Sequence, residues 1–116
     1  MKKLFIIIGV CVISVFVVYA QLVEVRGVET RKVKDQEKSD TWWNCYNFEF
    51  QNGNKFQISV EAELRVTDPD KPEGIIKSTK DFNLDAGETY KWKTSACEHT
   101  SGSYSYFVKY KAYKMP

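Results

Sequence analysis

The clearest pattern in the chain is a strict two-residue alternation over "KFQISVEAELRVT", residues 55–67. Phe56, Ile58, Val60, Ala62, Leu64 and Val66 alternate with Gln57, Ser59, Glu61, Glu63 and Arg65. Successive side chains of a strand point to opposite faces, so this reads as an antiparallel strand with one apolar and one wet face. "WNCYNFEF" (43–50) alternates likewise, with Tyr46, Phe48 and Phe50 on one face. "QNGNK" (51–55) joins the two runs. A two-residue turn would set a core face against a polar one. A loop of Asn52, Gly53 and Asn54 instead pairs Phe50 with Phe56 and keeps the apolar faces aligned, so the pattern predicts a β-hairpin here.

The remaining runs are also strand-like. "LVEVRGVETRKV" (22–33) predicts a first strand, bulged near Gly27. "DPDKPEG" (68–74) is a turn-rich loop, and "IKSTKDFNL" (76–84) is a strand that sends Phe82 and Leu84 inward. After a turn at "DAGE" (85–88), "TYKWKTSA" (89–96) turns Tyr90 and Trp92 inward. "EHTSGS" (98–103) is a loop. "YSYFVKYKAYK" (104–114) points Tyr106, Val108, Tyr110 and Ala112 to the core. No run sustains a helical period. The prediction is an all-β chain, a small antiparallel β-sandwich of about six strands. Its general look is immunoglobulin-like or fibronectin-like. The core Trp that should follow the first Cys of an antibody-type domain is missing until Trp92.

The first twenty residues break the pattern. "MKK" is a positive start, "LFIIIGVCVISVFVV" (4–18) is an apolar run, and "VYA" places Val18 and Ala20 at the positions that signal peptidase reads. The apolar run is short for a membrane span. The expected organisation is a cleaved signal peptide, 1–20, and a single β-sandwich domain, 21–116. An uncleaved signal-anchor that tethers the domain to a membrane is the alternative. The destination is secreted, periplasmic or extracellular. Lys2 and Lys3 account for the formal net charge of +2. The exported domain is therefore balanced in charge and carries no basic signature for nucleic acid. Cleavage would also leave no stable membrane span.

Cys11 leaves with the signal, so Cys45 and Cys97 remain as an even pair in an exported chain. A disulfide between them is expected. Counting back from Phe50 places Trp42 in the core and turns Trp43 and Cys45 outward. Counting along residues 89–97 puts Trp92 in the core and Cys97 on the lysine side. The bridge should then lie on an outer face or at a sheet end, with Trp43 packed over it. Trp43, Tyr104 and Tyr113 are the candidate ligand-stacking aromatics.

Catalytic chemistry finds little support. His99 is the only histidine, and a disulfide removes the thiolate that a Cys-His pair needs. Cys45, Cys97 and His99 lack a fourth metal ligand. Asp68, Asp70 and Glu73 are a weak calcium candidate within a turn-forming sequence. Glu61 and Glu63 read as a solvated strand face rather than a glycosidase pair. No enzyme activity and no cofactor are expected. The leading expectation is a secreted, non-enzymatic interaction domain that binds an extracytoplasmic protein through an edge, loops or an outer face. A small carbohydrate-binding module recognising a glycan through exposed aromatics is one alternative. A secreted inhibitor or toxin-like protein is another.

Overall fold

The computed structural model describes residues 22–116. The segment read as a signal, residues 1–20, lies outside the described residues. Six strands follow in order: β1 (Val28–Lys34), β2 (Trp43–Asn52), β3 (Ile58–Asp68), β4 (Lys71–Leu84), β5 (Thr89–His99) and β6 (Tyr106–Lys114). They form two antiparallel sheets of three strands, ordered β1-β2-β5 and β4-β3-β6. The chain is all-β, as the alternation predicts.

The core lies between the sheets. Phe48, Phe50, Trp92 and Ala96 from the first sheet meet Ile58, Val60, Ala62, Leu64, Leu84 and Ala112 from the second. Fully burying a large apolar side chain such as Phe50 or Ile58 contributes roughly 1.5–3 kcal/mol. Trp92 is buried here, in agreement with its parity.

The predicted β2–β3 hairpin does not form. β2 pairs with β1 and β5, whereas β3 pairs with β4 and β6, so residues 52–57 arch from one sheet to the other. Aligned apolar faces are required both of paired strands and of strands facing each other across a core. Alternation alone therefore cannot separate the two arrangements. Asn52 stabilises the arch. Its side chain is fully buried, and its Nδ2 donates to the carbonyls of Phe56 (2.8 Å), Asp85 (3.0 Å) and Leu84 (3.2 Å). Its Oδ1 accepts the Asn54 N–H at 2.9 Å.

The bulge expected near Gly27 is a change of sheet. Before it, Val25 N donates to Ala112 O, Lys114 N donates to Val23 O, and Glu24 bridges Tyr113 of β6. After it, the chain joins the other sheet as β1. Gly27 makes the crossing with a φ of +90°, and a Cβ there would lie 3.0 Å from Asn54 Oδ1. Residues 71–74, read as loop, instead open β4, because Asp68 and Lys71 already face each other across a tight turn.

Together these registers define two ends. Residues 22–27, the 52–57 arch and the 85–88 turn gather at one end, the base. The segment before β2, the β3–β4 turn and residues 100–105 gather at the other, the tip.

Candidate functional site

At the tip the disulfide is built from adjacent strands. Cys45 and Cys97 are direct cross-strand partners on β2 and β5, bonded at 2.04 Å. Thr100 N donates to Trp42 O. Counting along the ladder from that bond puts the cysteine pair at a non-hydrogen-bonded position, where antiparallel chains approach most closely. Their Cα atoms are 3.9 Å apart.

The bridge lies at a sheet end and faces away from the inter-sheet core, as parity requires. Cys45 is nevertheless only 2% exposed, because residues 35–41 fold over it. Asp35 N donates to Cys45 O, Cys45 N donates to Ser39 Oγ at 2.9 Å, and the Lys38 carbonyl oxygen lies 3.3 Å from Cys45 Sγ. Sequence reasoning assigned this cover to Trp43. Beside the bridge, two extra residues of β5 bulge out opposite Asn47. Ser95 takes a φ of 51° there, and Asn47 Oδ1 accepts its N–H at 3.3 Å.

Trp42 is not a core residue. It is 64% exposed and Trp43 is 40% exposed. Trp42 precedes β2, which begins at Trp43, and lies beyond the inter-sheet core, whose β2 members are Phe48 and Phe50. Asp40 sets the turn instead. Its Oδ1 accepts the N–H groups of Trp42 (2.7 Å) and Trp43 (2.8 Å), while Asp40 N donates to Trp43 O. An aspartate side chain gathering the next backbone donors is a known turn-former. The signal in "SDTWW" was the Asp two residues ahead of the first Trp.

His99 sits between the two indoles. The Trp42 ring lies nearly parallel to the imidazole at 18°, with centroids 6.3 Å apart. The Trp43 ring meets it edge-on at 89° and 5.0 Å. The imidazole Nδ1 accepts the Ser101 N–H at 3.2 Å and lies 2.7 Å from Ser101 Oγ. Since the backbone N–H can only donate, the ring proton belongs on Nε2. The Ser101–His99 contact is thus a local turn. Among the described residues no carboxylate accepts from Nε2, so the third group that would orient a catalytic base is not supplied.

The other candidates do not converge on this cluster as one platform. Tyr104 lies at the tip, with its OH donating to Cys97 O at 3.4 Å. Tyr113 lies toward the base, opposite Ser59 and Glu24. Trp43, Tyr104 and Tyr113 therefore make no single row. Asp68 ends β3 and accepts the Asp70 N–H at 2.7 Å, and Glu73 belongs to β4. Among the described residues no three His, Cys, Asp or Glu side chains group closely enough to hold a metal ion, so these three are not gathered as a calcium site. Glu61 lies opposite Asp81 and Lys111, and Glu63 opposite Thr79 and Lys109. These residues line a shallow, mixed-charge surface with Arg65, whose guanidinium bonds Glu63 at 2.9 Å.

No protein family, curated protein or solved structure matches this chain. The geometry alone therefore carries the functional reading. Among the described residues no helix is long and apolar enough to cross a membrane. The Cys45–Cys97 disulfide is compatible with an extracellular protein.

Proposed function

We propose that this chain is an exported, non-enzymatic interaction domain that binds a protein partner through its tryptophan pole. The observation that carries the reading is the contrast between exposure and rigidity at Trp42 and Trp43. Asp40 fixes their backbone, His99 packs between their rings, and the disulfide ties β2 to β5 immediately below. Large aromatics held in place lose little entropy on binding, and tryptophan is enriched among the residues that dominate protein interfaces. The rings stand nearly perpendicular about His99 instead of forming a coplanar platform, which favours a side-chain-sized contact over an extended sugar chain. Export is supported by the n-, h- and c-region pattern of residues 1–20. The pole lies at the end of the sandwich opposite Leu22.

The test places a photo-crosslinking amino acid at position 42 and, as a control, at Asp81 on the outer face of β4. The full chain is expressed by its own cells. The reading expects one protein adduct at position 42, competed by unlabelled wild-type chain and missing at position 81. Retention on a glycan array that depends on Trp42 would replace it with the carbohydrate reading.

A further inference from the structure

The two sides of the sandwich close unequally. Between β4 and β5, Phe82 stacks on Tyr90 with centroids 4.4 Å apart. Between β1 and β6, the closure consists of polar ties at either end. Tyr110 OH donates to Val28 O at 3.0 Å near the base. Toward the tip, the Lys32 amine donates to Tyr106 O at 3.0 Å and pairs with Glu98. Along this side Thr30 and Lys32 are exposed although their parity faces inward, Val108 is half-buried and Tyr110 is exposed.

The backbone along this side is also unpaired. Asp35 N donates to Cys45 O and Gly53 N donates to Gly27 O. With the unshifted β1–β2 register, odd-numbered residues of β1 bond to β2 and even-numbered ones point out of the sheet. The N–H and C=O groups of Thr30, Lys32 and Lys34 thus find no partner among the described residues. An edge of that kind is a template for another strand.

We propose that this edge is a second binding site, which adds an extended segment of a partner protein to β1. Alternate side chains of that segment would drop onto Tyr110 and Val108, so they are apolar. Arg31 projects from the outer face beside Glu29, and Lys34 shares the inward parity of Thr30 and Lys32; the charge of Lys32 is already met by Glu98, so the segment carries acidic residues where it meets Arg31 and Lys34. This site is separate from the tryptophan pole.

The test selects peptides from a displayed random library on the disulfide-bonded chain and then follows amide hydrogen exchange by NMR. The selected peptides should carry apolar residues at alternate positions, acidic residues where they meet Arg31 and Lys34, and no proline. In the chain alone, Thr30, Lys32 and Lys34 amides should exchange fast while Glu29, Arg31 and Val33 are protected. Bound peptide should protect all of them. Arg31→Glu with Lys34→Glu should weaken binding at least about tenfold, whereas Trp42→Ala should leave it unchanged, which separates this site from the pole. The proposal is overturned if no peptide is selected, if protection appears elsewhere, or if Thr30, Lys32 and Lys34 are already protected in the chain alone. That last result would mean a second copy or the chain's own segment covers the edge.

Discussion

The base and the tip of this sandwich are closed by opposite means. At the base a polar side chain, Asn52, is fully buried and its hydrogen bonds are met by the chain itself. At the tip, apolar rings are exposed and the polar groups around them are spent on holding them there. A buried, satisfied amide is explained by folding, because an unmet donor costs about 1–3 kcal/mol in the interior. Two exposed indoles on a fixed turn are not explained by folding, because they leave apolar surface in water. Under the proposed function, the base serves structure and the tip serves interaction.

The sharpest way to break that division is to weaken the tip covalently. Cys45→Ala with Cys97→Ala opens a loop spanning a sequence separation of 52. It should cost about 4 kcal/mol by the chain-entropy estimate, read by urea unfolding. That loss would be a large part of the total for so small a domain. A variant as stable as the parent would show that the 35–41 cover alone holds the tip.

At the base, Asn52→Leu keeps the branching at Cγ but leaves the carbonyls of Phe56, Leu84 and Asp85 without their donor. A loss of about 3 kcal/mol is expected in the same assay. Partner binding at the tip should be unaffected wherever the domain remains folded.

These expectations also show how far the sequence could be read. The alternation at 55–67 identified the β3 core set because Ile58, Val60, Ala62 and Leu64 run without interruption. The runs 76–84 and 89–96 likewise marked Leu84 and Trp92 as buried. Strand partners were less legible. Nothing in the parity of Phe50 and Phe56 distinguishes a hairpin from an arch, and the deciding residue, Asn52, acts through carbonyls distant in sequence. Trp42 was misassigned to the core because parity was carried past the end of β2, where Asp40 controls the backbone. The disulfide was readable because setting Cys11 aside with the expected signal leaves Cys45 and Cys97 as one pair, and its outward parity because both cysteines oppose the parity of Phe48, Phe50 and Trp92. The cover over it was not, since it depends on where residues 35–41 fold back.

A smaller effect should follow from Asp40→Ala, which removes one acceptor shared by the Trp42 and Trp43 N–H groups. About 1 kcal/mol of stability should be lost, with faster exchange of those two amides by NMR. Slow exchange in the variant would mean that the turn is held by other contacts. Trp43→Ala, which removes an edge-on aromatic contact with His99, should cost about 1 kcal/mol.

The smallest stability effect belongs to the residue with the largest proposed role, and this makes Trp42→Ala the most direct test. Trp42 is 64% exposed, so its truncation should change stability by no more than about 0.5 kcal/mol, a shift of roughly 2–4 °C in Tm. Affinity for the protein crosslinked at position 42 should fall by about thirtyfold or more, the signature of an interface hot spot near 2 kcal/mol. Titration calorimetry and thermal melts on the same preparation measure both quantities. An unchanged affinity, or a melting temperature that collapses along with it, would contradict the assignment of the tip to binding.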